Sequence, residues 1–320
     1  MKESKSRKHI DVSVLIPISE KRHDNLVKIF DAHKDILVDL EKTFEFIFVF
    51  DGFYPDDEKK LKEIAKDAPD ILKLIRFNKN HGESKALTTA FHASSGENIL
   101  TLPAYFQVQP VEIRKLFENF TNSTDVIVGQ RYPRRDNALN RLQAKLFHKL
   151  ISSFSGESFH DISCGVRLMR RNAMGRISLY GDLYRFIPLL AINKGFVVKE
   201  IPLRQAQEDI HLRVHGLGVY LRRLLDILTL FFLLKFTQKP LRFFGLLGSG
   251  LSFIGLIISA VTVFQRIFGD QALSERPLFL VGVLFLLVGV QTFFIGLVAE
   301  IIIFTHMPSE PDYNIEEIIE

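Results

Sequence analysis

Residues 12–18 read VSVLIPI, 44–51 FEFIFVFD, 71–78 ILKLIRFN, 98–104 NILTLPA and 125–131 DVIVGQR. These runs are rich in β-branched and aromatic residues and are bounded by polar turns, which is the composition of strands. The stretches between them, 22–40, 56–67, 83–95 and 110–121, carry helix-forming composition. Strands alternating with helices predict a mainly parallel sheet covered on both faces. In such sheets ligands bind outside the carboxyl ends of the strands. The polar residues just past each strand are therefore the candidate site: Ser19 and Glu20, Asp51 and Gly52, Asn78 to Lys85, Gln107, then Gln130 and Arg131. No G-x-G-x-x-G or G-x-x-x-x-G-K-[ST] run occurs, so the usual dinucleotide and P-loop readings lack support.

Outward from this core, the 320 residues are 47% hydrophobic and 24% charged, which excludes a disordered chain. A formal net charge of +4 gives no argument for a nucleic-acid partner. The single cysteine, Cys164, excludes a disulfide framework and a cysteine-based zinc site, and reads as a small buried side chain. The opening residues are basic, but their apolar run is too short and strand-like for a signal peptide, so the first 240 residues are expected on the cytoplasmic side. Residues 243–265 and 277–299 contain no charge. As helices each reaches about 35 Å, enough to cross a hydrocarbon core of about 30 Å. Lys235, Lys239 and Arg242 place the leading end in the cytoplasm, and two spans, about 243–265 and 277–304, return the tail 307–320 to that side. Gly282, Gly289 and Gly296 recur along one face and predict close helix packing. In 138–154 a basic amphipathic pattern fits either an interfacial helix or a surface helix on the domain, and 216–240 reads as a juxtamembrane helix. Two spans without internal charge offer a transporter no pathway.

The order VSVLIPI, FVFDG, RFNKNHGESKAL, then HDISCGVRLMRR (160–171), LYRFIPLLAINKGFVVKEIPL (183–203) and KPLRFFGLLGSG (239–250), resembles the family 2 glycosyltransferases of the GT-A (Rossmann-like) fold. Within that family it is most similar to the polyprenyl-phosphate glycosyltransferases, the group of dolichol-phosphate mannose synthase and the undecaprenyl-phosphate sugar transferases. The resemblance spans nearly the whole chain. It implies a membrane-bound, multi-pass enzyme whose GT-A domain (1–215) works at the cytoplasmic face of the cell membrane. Such an enzyme moves a sugar, with inversion, from a nucleotide-sugar to a polyprenyl phosphate. It also implies assembly as homo-oligomers. A catalytically silent homologue, binding nucleotide, lipid phosphate or a membrane partner, is the alternative reading.

Departures from the family pattern fall in the site itself. The opening Pro-x-Tyr-Asn-Glu becomes Pro17, Ile18, Ser19, Glu20, Lys21, and the Asp-Asp-Gly-Ser after the second strand becomes Phe50, Asp51, Gly52, Phe53. The Asp-x-Asp that holds Mg or Mn in the family reads Pro103, Ala104, Tyr105, although Gln107, Pro110 and Glu112 keep the frame. Pro103 has no side-chain donor atom and a phenol is a poor ligand for a hard cation, so no metal ligand set is expected. Cations would then neutralise the leaving diphosphate: Lys85 at the head of the third helix and Arg131 at the end of the fifth strand, with Arg134 and Arg135 beyond. The resemblance assigns Pro17, Ser19, Glu20, Asp51, Asn80, Gly82, Lys85, Pro103, Tyr105 and Gln107 to the nucleotide-sugar, with Asp51 reading base or ribose. Asp161 precedes the Gly-x-Arg segment and stands open to three roles: holding a residual metal, orienting sugar or acceptor, or organising its loop. Arg167, Arg170, Arg213 and His215 are the expected contacts of the lipid phosphate.

Overall fold

A computed structural model of the chain describes residues 9–19, 23–134, 159–209, 225, 228–229, 239–268 and 277–305. The expected helix at 138–154, most of 216–240, the tail 307–320 and the site candidates Glu20, Arg135, Arg213 and His215 lie outside the described residues. The chain divides into two compact units, the boundary falling after Leu230.

The first unit is a seven-stranded sheet of order β3-β2-β1-β4-β6-β5-β7. Its strands are β1 (Val12–Ile18), β2 (Phe44–Phe50), β3 (Leu72–Arg76), β4 (Asn98–Thr101), β5 (Val126–Arg131), β6 (Arg167–Arg170) and β7 (Val198–Leu203). All are parallel except β6, which runs antiparallel to both β4 and β5. The helices are α1 (Leu26–Asp39), α2 (Pro55–Asp67), α3 (Glu83–Ala93), α4 (Ile113–Asn119), and the short α5 (Arg171–Gly175) and α6 (Ile187–Asn193). The sheet is mainly parallel, as expected. The five expected strands and four helices are present. The sixth and seventh strands were not legible as strands.

Local chemistry explains the boundaries. The Asn25 side chain accepts hydrogen bonds from Val27 N (3.1 Å) and Lys28 N (3.4 Å), which starts α1. Pro55 occupies the first turn of α2, followed by Asp56, Asp57 and Glu58, which suit the positive end of the helix. Both sheet faces are buried. Val14, Ile16, Phe46 and Phe48 pack on one side, and Leu15, Ile47 and Val49 on the other. Parallel strands covered on both faces lose alternation and read as continuous apolar runs, which is why the first two strands were so legible. At the amino edge of the sheet Glu45, fully buried, accepts from Ser13 Oγ (2.7 Å) and Lys73 Nζ (2.6 Å).

The second unit pairs α7 (Pro240–Ile267) with α8 (Pro277–Thr305), two helices long and apolar enough to cross a membrane. Gly282, Gly289 and Gly296 are buried, as their spacing predicted, and Gly248 and Gly255 of α7 are buried opposite them. A Cβ on Gly248 would lie 2.6 Å from the Gly289 carbonyl oxygen, and one on Gly255 would lie 2.5 Å from Leu286 N. The backbones therefore touch, and larger side chains such as Leu246, Phe253 and Leu280 face outward.

One buried titratable group lies beneath the site. The His33 ring is buried, stacks on Phe106 with centroids 6.0 Å apart, and its Nδ1 bonds the Ile29 carbonyl at 2.6 Å. Burial pushes its pKa down to about 4, against a smaller opposing effect of that carbonyl. The unfolded chain then binds the proton more tightly than the folded one. Stability is intact above pH 6.5 and falls as the pH drops towards 4, by roughly 3 kcal/mol at most. Urea denaturation at pH 7 and pH 4.5 is expected to show this loss, and His33→Leu is expected to lessen it. An unchanged slope in that variant would assign the acid sensitivity to other groups.

Candidate active site

The carboxyl edge of the sheet gathers the candidate residues. The chain leaves β1 towards β2 and β3 on one side and returns to β4 on the other. The crevice outside the ends of β1 and β4 is thus the switch point at which α/β sheets bind ligands. Because β6 is antiparallel, its lead-in, Asp161–Gly165, reaches the same edge, as do the residues that follow β7.

At the β2 end, the Asp51 oxygens accept from His81 N (2.5 Å) and Gly82 N (2.7 Å). Gly82, at φ +91°, sits at the head of α3, where a side chain would be strained. Asp51 is fully buried and so shapes the turn before α3 from beneath. Ser19 Oγ lies 3.5 Å from the Glu83 carboxylate, Asn80 is exposed, and Lys85, in the first turn of α3, is exposed and makes no ion pair among the described residues. Pro17 lies within buried β1.

The loop after β4 keeps its shape through Asp24, Gln107 and Thr101. Asp24 N donates to the Ala104 carbonyl (2.9 Å), and Phe106 N donates to Asp24 Oδ2 (2.9 Å). Gln107, nearly buried, donates Nε2–H to Tyr105 Oη (2.7 Å) and accepts from Gly165 N through Oε1 (2.7 Å). Thr101 Oγ1 bonds the Gly165 carbonyl (2.8 Å), and a Cβ on Gly165 would lie 3.4 Å from Pro103 Cδ. The loops 103–107 and 161–165 are therefore bolted face to face.

Beside them stands a buried ion cluster. Arg131, 7% exposed, reaches Asp161 through Nε–Oδ2 (2.6 Å) and Nη2–Oδ1 (2.8 Å), Asp209 through Nη1–Oδ2 (2.9 Å), and Ser163 Oγ through Nη2 (2.8 Å). Gln205 Nε2 donates to Asp209 Oδ2 (2.9 Å), Asp161 N donates to Glu200 (2.7 Å), and Arg134 Nη1 stands 3.7 Å from Asp161. Burial opposes ionisation of Asp161, but the Arg131 charge and hydrogen bonds outweigh it and hold the carboxyl well below the usual carboxylate range. Burial likewise opposes charge on Arg131, and Asp161 with Asp209 raises its pKa well above the usual value.

This arrangement corrects three sequence expectations. Arg131 is not an open cation waiting for a diphosphate, since two carboxylates already neutralise it. Arg167, 2% exposed, turns inward and donates Nη1–H to the Tyr184 carbonyl (3.0 Å), so it braces the turn at Leu183–Phe186 and cannot meet a lipid phosphate. Arg170 pairs with Asn98 at the opposite, amino edge of the sheet and donates to the carbonyls of Thr121, Asn122 and Thr124. Of the three roles open to Asp161, loop organisation through Arg131 is the one its contacts display. Cys164 is fully buried, as expected. Sequence reasoning missed Asp209, Gln205, Ser163 and Asp24. The rule that site residues follow strands would have found the first two, had β7 been read as a strand.

A substitution separates bracing from substrate contact. Arg131→Met leaves two buried carboxylates without their cation and is expected to cost roughly 3–5 kcal/mol of stability. Arg131→Lys keeps the charge but loses the two-pronged geometry, and a smaller loss is expected. Denaturation midpoints measure both. A fully stable Arg131→Met protein would show that the cluster does not hold the edge together.

The model of "Glycosyl transferase family 2" matches residues 13–178, just over half of the chain. The chain is 27% identical over 311 residues to the undecaprenyl-phosphate 4-deoxy-4-formamido-L-arabinose transferase of Klebsiella pneumoniae (strain 342), covering 96% of this chain and 93% of that protein. It is 27% identical over 313 residues to the protein of that name from Enterobacter sp. (strain 638), with the same coverage. Mannosyl-3-phosphoglycerate synthase from Rubrobacter xylanophilus shares the fold, with a TM-score of 0.53 at 14% identity over 69% of this chain and 73% of that one. The mainly parallel sheet and the family match agree, and the chain belongs to glycosyl transferase family 2.

Proposed function

We propose that this protein transfers a sugar from a nucleoside diphosphate donor to undecaprenyl phosphate at the cytoplasmic face of a membrane, anchored by α7 and α8. The observation that carries the reading is the end-to-end similarity to two undecaprenyl-phosphate sugar transferases, covering 96% of the chain and therefore the apolar helices as well as the sheet. No observation favours a catalytically silent relative.

The chemistry is a single displacement at the anomeric carbon. A phosphate oxygen of the lipid forms the new C1–O bond while the bond from C1 to the donor's β-phosphate oxygen breaks. The electron pair leaves with the nucleoside diphosphate. The lipid phosphate is already an anion at neutral pH, so the nucleophile needs no general base, and catalysis rests on positioning and on stabilising the leaving charge. The crevice beside β1 and β4 takes the donor, with Ser19, Asn80, Lys85, Pro103 and Tyr105 around it. Lys85 supplies an open ammonium to the leaving diphosphate. Asp161, held by Arg131, is a positioning residue for the loop that faces the sugar and the acceptor.

Purified protein given a panel of nucleotide-sugars and a short polyprenyl phosphate is expected to yield lipid-linked sugar from one donor, read by mass spectrometry. Lys85→Ala is expected to lower the rate roughly ten- to a hundredfold, the worth of one charge-assisted contact to the leaving group. No product from any donor would remove the reading.

The charge-free spans, with Lys239 and Arg242 leading into the first, argue for both termini on the cytoplasmic side. A reporter fused after Glu320 is expected to be active only as a cytoplasmic fusion. Activity on the far side would overturn this orientation.

A further inference from the structure

Resemblance to the family implies a Mg or Mn ion held by the Asp-x-Asp after the fourth strand. The residues present do not fit it. Pro103 offers no donor atom, Ala104 a methyl group, and Tyr105 a phenol whose oxygen accepts the Gln107 amide at 2.7 Å. A hard divalent cation needs several oxygen ligands, carboxylates foremost. The buried carboxylates of the same edge are already engaged. Asp51 binds two backbone N–H groups, and Asp161 takes Arg131 on both oxygens. Asp209 takes Arg131 and Gln205 on Oδ2, and the half-buried Asp24 takes Phe106 N. Among the described residues no group of three His, Cys, Asp or Glu side chains is placed to hold a metal ion.

The loop has not merely lost its ligands. Its backbone is tied to Asp24 on one side and, through Ala206 N to the Gln107 carbonyl (3.0 Å) and Gln109 N to the Arg204 carbonyl (2.9 Å), to the β7 exit on the other. A loop held at both ends cannot swing to recruit carboxylates from elsewhere without breaking those bonds.

We infer that this chain binds its nucleoside diphosphate donor without a divalent cation held by the protein. The inference rests on the glycosyl-transfer reading above and changes how that site meets the diphosphate. Side-chain charge replaces the ion. Arg131 is spent on Asp161 and Asp209, and Lys85, exposed in the first turn of α3, is the cation assigned to the diphosphate.

The test uses the full-length protein in detergent. UDP and GDP binding is measured by calorimetry with EDTA and with excess MgCl2 or MnCl2, and manganese uptake is followed by the loss of its free-ion electron paramagnetic resonance signal. For the nucleotide that binds, affinity with EDTA is expected within about threefold of that with metal. Manganese uptake is expected to match that of nucleotide alone. Metal-dependent tightening beyond that range, or stoichiometric manganese taken up by the protein, overturns the inference and leaves the transfer reading standing. No binding of either nucleotide under any condition removes the transfer reading, and the inference with it. The paired substitution Pro103→Asp and Tyr105→Asp is expected to create manganese uptake. A folded variant that takes up none overturns the assignment of this loop as the place where the metal was lost. Should the pair not fold, Tyr105→Asp alone and the wild-type titrations decide.

Discussion

The guanidinium of Arg131 is the point on which the carboxyl edge depends. It closes three chain segments that are far apart in sequence: the end of β5, the lead-in to β6 and the exit of β7. A lone charge at that depth would be costly, and each carboxylate alone would be costly too. Together they satisfy one another in a low-dielectric setting where attraction is strong and geometry is narrow. The cluster's value lies less in net stability than in allowing one arrangement of these segments.

Shape and chemistry have come apart at the neighbouring loop. Gln107 still ties residues 103–107 to Gly165, and Asp24 still pins the turn from the α1 side. The frame that would present two carboxylates to an ion is therefore kept, while the side chains at those positions present a ring and a phenol. Apart from the bond from Gln107 to the Tyr105 phenol, the hydrogen bonds belong to the backbone and to residues outside the pair, so the loop depends little on which side chains stand at 103 and 105. That separation explains how a chain so divergent at its central motif retains the family fold.

Much of this was legible in the sequence, for reasons that also define where reading stopped. β1 and β2 are apolar on both faces and bounded by polar turns, so they declared themselves. β6 is four residues, Arg-Leu-Met-Arg, and its charges point to a surface segment unless the neighbours are known. Its two arginines were read as lipid-phosphate contacts because sequence alone gives charged residues to solvent or ligand. In three dimensions Arg167 is wrapped by carbonyls of a turn sixteen or more positions away, and Arg170 faces the other edge. Arg131 failed for the same reason, since its partners Asp161 and Asp209 are distant in sequence. Asp51, Gly82 and Gln107 are candidates by the rule that sites follow strands, which needs only strand ends, whereas Asp161 is a candidate only through the resemblance to the family's Gly-x-Arg segment.

The helix pair carries its own depth gauge. Leu241 N, at the start of α7, donates to Glu300 Oε2 near the end of α8 at 3.2 Å, so the two helices run antiparallel with Arg242 and Glu300 at one level. Arg266 marks the other end of α7. From Arg242 to Arg266 a helix rises about 36 Å, slightly more than a hydrocarbon slab of about 30 Å. In a bilayer the pair would therefore tilt by a modest angle or draw its end charges into the headgroups. Because the glycine seam brings the two backbones into contact along their length, a tilt of one helix alone would open that contact, so the tilt belongs to the pair.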